Sequence, residues 1–206
     1  MPKIVDPVER RQAVADAVLR VAAREGLEHA SLRNVADEAG LAVGSVRHYF
    51  AGGPELMIFA MGELARRIEA RVRTHARVLL DPATADGDRR ARTEALLAEI
   101  LPLDAERREE SALWFSFVTA ARTRPELRPR AAEMQAGLDE LIRRVLDEAG
   151  RAGALTPGLD LAVETRRLTA LLDGLTLQAV QDPDLVGPAE LRAVLRRHLD
   201  SLRAAG

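Results

Sequence analysis

The sequence predicts an all-α fold of about nine helices. Three observations carry that expectation. Apolar residues recur at i, i+3, i+4 and i+7 in one segment after another, the spacing that lines one face of a helix. Glycine and proline breaks separate those segments, at Gly26, Gly40, Gly52-Gly53-Pro54, Pro102, Pro125, Pro129 and Gly150 to Gly158. Residues 31–50, SLRNVADEAGLAVGSVRHYF, read as two short helices joined by a glycine turn, and the rest of the chain is organised around them.

Composition sets the bounds. A chain of 206 residues, 47% hydrophobic and 30% charged, suits one or two soluble domains with a substantial core. There is no cysteine, which excludes disulfides, thiolate metal sites and a cysteine nucleophile. No signal-peptide pattern and no run of apolar residues long enough to span a bilayer is visible, so the expected location is the cytoplasm, away from membranes. The formal net charge of −2 argues against a strongly basic nucleic-acid binder. Residues 1–50 are themselves balanced: Lys3, Arg10, Arg11, Arg20, Arg24, Arg33 and Arg47 against Asp6, Glu9, Asp16, Glu25, Glu28, Asp37 and Glu38. Any nucleic-acid affinity must come from placement of charge rather than its amount.

In chain order, residues 1–8 form a short arm with Pro2 and Pro7. Lys3, Arg10 and Arg11 near it are either phosphate contacts or a solvated helix start. The first helix spans about Val8 to Arg24, buries Val14, Ala17, Val18 and Val21, and stops at Gly26. The second follows Ser31, an N-cap, and places Leu32, Val35, Ala36 and Ala39 on one face before Gly40. The third starts near Val43. Val43, Val46 and Phe50 share its inner face, while Gly44, Ser45 and His48 point outward, flanked by Arg47 and Tyr49. Glycine permits a close backbone approach. Serine, histidine and arginine bond base edges, and tyrosine reaches a phosphate oxygen. A helical hairpin in an ordinary all-α domain is the competing reading.

The fourth helix runs from about Pro54 to Leu79, with Met57, Met61, Leu64, Ile68, Val72, His75 and Leu79 in one stripe. His75 is either a satisfied core histidine or a pocket residue. Residues 81–88 form a loop, and the fifth helix spans about Asp88 to Leu101. The sixth spans about Asp104 to Arg122. It is apolar on nearly every side around Trp114 and Phe117, which makes it plain core or the wall of a small-molecule pocket. A loop over Thr123 to Pro129 precedes the seventh helix, about Pro129 to Ala149, where Met134, Leu138, Leu141, Ile142 and Val145 face inward. The eighth, about Asp160 to Gln181, has two apolar faces: Leu168, Leu171, Leu172, Leu175 and Ala179 on one, Ala170, Gly174 and Leu177 on the other. The ninth, about Pro188 to Arg203, carries Leu191, Val194, Leu195, His198, Leu199 and Leu202 in one stripe. Pairing the eighth and ninth helices with their copies in a second subunit, as a four-helix bundle, would cover these faces. His198 is then either a packed histidine or a pH-responsive group at the seam.

The N-terminal part resembles the DNA-binding domain of the TetR family of bacterial transcriptional regulators. The matching residues are the arginine-led first helix from Arg11 to Gly26, Ser31-Leu32-Arg33, Ala39-Gly40-Leu41, Gly44-Ser45-Val46, His48-Tyr49-Phe50 and Pro54-Glu55-Leu56. Leu113 to Leu127 and Leu172-Asp173-Gly174-Leu175 are similar to the choline-regulator-type C-terminal domain of one subgroup. The resemblance implies a reader in residues 1–52 and a ligand-binding and dimerisation domain in residues 53–206. It implies a homodimer through the last two helices. Two departures stand out. Ala42 occupies the recognition-helix N-cap, where the family has Ser or Thr, and a lost cap costs about 0.5–2 kcal/mol. Gly53 replaces a lysine that grips a phosphate. Arg47, where the family often has Tyr, can return some of that charge.

Three functions compete for these residues. The first is a repressor whose two readers enter successive major grooves of a palindromic double-stranded operator and are released by a small-molecule effector. Arg47, His48, Ser45 and Gly44 would meet the bases, and Tyr49, Arg33 and Ser31 the phosphates. Met61, His75, Trp114, Phe117 and Met134 would line the effector pocket. Ala170, Gly174, Leu177, Leu191, Leu195, His198 and Leu202 would form the dimer seam. No cofactor or metal is expected. The second is an all-α enzyme, for which the parts are missing: His29, His48, His75 and His198 lie far apart, with no paired-histidine metal motif or phosphate-binding glycine loop. The third is a helical adaptor that binds only protein. It accounts for the neutral reader but not for the joint exposure of Gly44, Ser45, Arg47 and His48.

Overall fold

A computed structural model describes residues 7–79 and 86–203. Among these it contains nine α-helices: α1 (Pro7–Glu25), α2 (Leu32–Glu38), α3 (Val43–Tyr49), α4 (Gly53–Leu79), α5 (Asp86–Ala98), α6 (Ala105–Thr123), α7 (Arg128–Arg151), α8 (Leu161–Gln181) and α9 (Pro188–Ser201). Short 3-10 turns cover Leu27–His29 and Pro125–Leu127. No strand occurs among the described residues. The all-α expectation therefore holds. The predicted arm, with Lys3, and most of the predicted 81–88 loop lie outside the described residues.

Local chemistry explains most helix ends. Asp160 Oδ1 accepts the Ala162 and Val163 N–H groups at 3.0 and 3.2 Å and starts α8. Glu55, on the first turn of α4, accepts the Ala51 N–H at 2.7 Å, and Pro54 supplies the fixed φ that a first turn tolerates. The end of α5 differs from expectation. Its stripe continues to the buried Leu101, but the α-helix stops at Ala98. From there Glu99, Ile100 and Leu101 donate to Leu96, Leu97 and Ala98 across three residues, each at 3.2 Å, a tighter winding that closes the helix.

The described residues divide into two compact units. The first comprises the chain up to Arg67 with Ala112–Ala132; the second comprises Ile68–Ser111 with Glu133 onward. These packing units do not follow a division at residue 52. In the first unit α1 packs on α2 and α2 on α3. Val14, Ala17, Val18, Val21, Val35, Val46, Phe50, Leu56, Met61, Leu64 and Phe117 are buried there.

The second unit has one apolar core built on Leu96, Leu97, Leu101, Ile142, Leu146, Leu168, Leu172, Leu191, Leu195 and Leu202. This corrects the expectation for α9. Leu191, Leu195 and Leu202 are fully buried inside their own subunit, where α9 packs on α5 and α8, so they are not available to a partner. The loop after α7 is pinned to the end of α9. Thr156 donates its N–H to Leu202 O at 2.9 Å and its hydroxyl to Arg203 O at 2.7 Å.

Candidate nucleic-acid interface

The α2–turn–α3 segment is fixed at each joint by a named group. Ser31 is extended and accepts the Asn34 N–H on Oγ at 3.2 Å, which leaves its hydroxyl proton free to donate outward. Asn34 Nδ2 in turn donates to His29 O at 2.9 Å and holds the preceding turn. At the other end, Gly40 takes φ +66°. Its N–H donates to Asp37 O at 3.2 Å, and Leu41 N–H donates to Ala36 O at 2.9 Å, the paired bonds that close a helix. A Cβ on Gly40 would touch nothing, so the need for glycine is the left-handed backbone alone.

Ala42 enters α3 at φ −67°, ψ 140°, the extended conformation of an N-cap, but no side chain caps the helix. Val46 and Phe50 are fully buried. Gly44, Arg47 and His48 are exposed, while Ser45 and Tyr49 are half-buried. The His48 ring meets the Tyr49 ring edge-on at 5.2 Å. Gly44 has helical φ and open space where a Cβ would sit. Nothing in the described chain requires glycine there.

Electrostatics separate the charges into paired and free. Glu38 on α2 accepts from Arg20 Nε at 2.7 Å and from Arg24 Nη2 at 3.0 Å, both on α1. Hydrogen bonds from Arg20, then Arg24, hold the Glu38 carboxyl below the usual carboxylate range. Arg24 also pairs with Glu25 at 2.8 Å. Asp16 pairs with Arg67 and accepts from Gln12 at 3.0 Å. Arg33 and Arg47 are exposed, and no described carboxylate pairs with either.

One cluster was not foreseen. The Arg11 guanidinium lies 5.3 Å from the Phe50 ring centre and 4.9 Å from that of Phe59, and the two rings are 5.2 Å apart. From the sequence alone Arg11 reads as a phosphate contact or a solvated charge. The partner that redefines it, Phe59, lies far away in sequence and on no motif.

The residues expected at an effector pocket fall into both units. Met61 and Phe117 are fully buried and Trp114 half-buried, all in the first. His75 and Met134 belong to the second. His75 Nε2 lies 3.3 Å from Glu99 Oε1, within an ion cluster in which Arg71 reaches Glu110 at 3.0 Å and Arg107 reaches Glu99 at 3.2 Å. Of the residues expected at a dimer seam, Ala170 and Leu177 on α8 are exposed, Leu177 by 39%. Gly174 has open space over its Cα, and His198 is half-buried. No helix among the described residues is long and apolar enough to cross a membrane.

Comparison with known proteins adds independent findings. Residues 89–204 match the family described as BetI-type transcriptional repressor, C-terminal. The HTH-type transcriptional regulator PksA of Bacillus subtilis (strain 168) is 32% identical over 98% of this chain and 94% of its own length. A solved structure of a TetR-family member from Streptomyces coelicolor A3 is 32% identical, with a TM-score of 0.68 over 92% of this chain and 98% of that one. A transcriptional regulator from Saccharomonospora viridis, solved with choline, shares the fold at 20% identity, with a TM-score of 0.80 over 96% of this chain and all (100%) of that one.

Proposed function

The chain belongs to the TetR family of DNA-binding transcriptional regulators, and from that premise we propose a repressor that reads a palindromic operator as a homodimer and releases it on binding a small molecule. The outward face of α3 carries this reading. A buried Val46 and Phe50 back an exposed Gly44, Arg47 and His48. Arg47, His48 and Ser45 contact base edges, with Gly44 at the closest approach. Tyr49, Arg33 and Ser31 hold phosphates. The reader comprises residues 1–52, and residues 53–206 bind the effector and the second subunit. The protein acts in the cytoplasm and performs no catalysis.

The second subunit docks on the smaller face of α8, at Ala170, Gly174 and Leu177, with His198 of α9 beside it. The exposure of Ala170 and Leu177 supports this. The effector meets the apolar wall of Met61, Trp114 and Phe117. The Saccharomonospora protein supports only the general point that this fold accommodates a small molecule. His75 and Met134 stay as secondary candidates, since Glu99 already engages His75.

Fluorescence anisotropy on the DNA upstream of the protein's own gene tests the reading. Wild-type protein should bind the native duplex and not a scrambled one. Arg47→Ala should lose about 1–3 kcal/mol of that binding if the guanidinium is bidentate to guanine. Equal, weak binding of both duplexes, with no fragment recovered in a genome-wide selection, would favour the protein-binding adaptor.

A further inference from the structure

We infer that Arg11, acting with Phe59, is a positioning residue for the reading face of α3: it clamps the ring of Phe50 and so sets the orientation of the helix that carries Arg47 and His48. This inference rests on the DNA-reading function proposed above.

Packing rather than capping holds α3: Val46 is fully buried and α2 packs against the helix. The helix has seven residues and no side-chain N-cap. A helix that short is not stable alone, and packing must order it. Its last hydrogen bond runs from Phe50 N–H to Val46 O at 3.0 Å, and the Phe50 side chain is fully buried. Whatever fixes the Phe50 ring therefore fixes the last turn, which holds Arg47, His48 and Tyr49.

Two groups from elsewhere in the chain fix that ring. Phe59, on α4, meets it at 5.2 Å with a 51° tilt. Arg11, on α1, lies against both rings within the distance at which a cation is drawn to a ring face. Other arginines of α1 behave differently: Arg20 and Arg24 reach Glu38. No described carboxylate pairs with Arg11, and its Nε is buried with no acceptor among the described residues. Its described partners are the two rings. A planar guanidinium suits that place better than a lysine ammonium, which is more strongly hydrated. Arg11 held in this way is not free to grip a phosphate. It acts on DNA through Phe50.

The test uses the full-length protein with Arg11→Met, which keeps a flexible unbranched stem but removes the charged planar head, and Phe59→Leu, the milder change should Arg11→Met fold poorly. Each is measured in two ways. Anisotropy on native and scrambled upstream duplexes over a salt series gives the preference for the native sequence and the salt slope. Hydrogen exchange on free protein reports residues 43–49 against residues 32–38. A clamp predicts a native-over-scrambled preference reduced by about three- to tenfold in both variants, with an unchanged salt slope. It also predicts faster exchange confined to residues 43–49, and a double variant little worse than the worse single one.

A salt slope shallower by about one, with the sequence preference intact, would make Arg11 a phosphate ligand and overturn the inference. Unchanged exchange over residues 43–49 in both variants would also overturn it. So would faster exchange spread evenly over α1, α2 and α3 with preference intact, which marks a plain core residue. If wild-type protein itself shows no preference for native DNA, the operator-reading proposal fails, and the exchange data alone decide the clamp.

Discussion

Gly44→Ala should change stability and DNA binding in opposite directions, which few substitutions do. The residue sits in the first turn of α3 with helical φ, and a Cβ there would find no atom within 4 Å. Alanine is the better helix former by roughly 0.5–1 kcal/mol in a helix interior. Near the N-terminal end the gain should lie at the lower limit, about 0.5 kcal/mol, or a rise of about 1–2 °C in Tm for a chain of this size. Neither strain nor a clash in the free chain subtracts from it. On DNA the sign reverses. The added methyl stands on the exposed face beside Arg47 and His48, where the proposed reading puts the closest approach of the backbone to DNA. Pushing the helix outward weakens several contacts, each worth about 1–3 kcal/mol. At least tenfold weaker binding is expected, and tenfold is about 1.4 kcal/mol. Thermal melting and anisotropy on the same preparation read both effects. A variant that binds the native duplex as tightly as wild type would refute the placement of Gly44 against DNA. One that melts lower would refute the claim that the free chain has no use for glycine there.

Three further predictions concern the departures from the family pattern and one half-buried acid. Ala42→Ser should add the missing cap to α3, because the backbone already has N-cap geometry; the gain is about 0.5–1 kcal/mol, seen as slower hydrogen exchange over residues 43–49. Gly53→Lys meets open space and has no positive φ, so the first turn of α4 accepts it. The log–log salt slope of operator binding should steepen by about 0.9, the signature of one more phosphate contact. Asp173, half-buried on α8, has its carboxyl pushed above the usual aspartate range by burial first and by Asp139 second. A raised folded-state value means the folded chain holds the proton more tightly. The residue therefore favours folding at low pH and opposes it as pH rises out of the aspartate range. Asp173→Asn should raise Tm at neutral pH, and the difference from wild type should vanish when melts are repeated below the usual aspartate range.

Legibility in the sequence followed the range of the forces involved. Ser31, Gly40, Asp160 and Pro188 mark helix ends by chemistry within a few residues, and each end falls where such a residue predicts it. The close of α5 did not read correctly, since its apolar stripe runs on to Leu101 while the backbone tightens after Ala98. Burial of Leu101 says nothing about which hydrogen bonds hold it. The leucines of α9 are ambiguous in the sequence for a related reason. A stripe reports that something covers it and not whether that cover is the chain itself. Here α5 and α8 supply the cover for Leu191, Leu195 and Leu202, while Ala170 and Leu177 on the smaller face of α8 stay exposed. Arg11 and Phe59 were invisible because their meeting depends on the packing of α1, α3 and α4, which no local pattern encodes.

Charge shows most clearly how arrangement changes what a count means. The N-terminal fifty residues are formally neutral, which by itself weakens a DNA-binding reading. The neutrality is not spread evenly. Glu38 and Glu25 are matched by Arg20 and Arg24, and Asp16 by Arg67, so these acids are offset within the first unit. Arg33 and Arg47 carry no such partner among the described residues, and both are exposed. On the proposed reading, Arg33 and Arg47 face DNA with the hydrogen-bonding groups of Ser31, Ser45, His48 and Tyr49, while Glu28 and Asp37 also stay exposed and keep the local charge low. Such an interface should have a shallow salt slope and weak non-specific binding. Its selectivity then rests on the geometry of α3, and on whatever holds that helix in place.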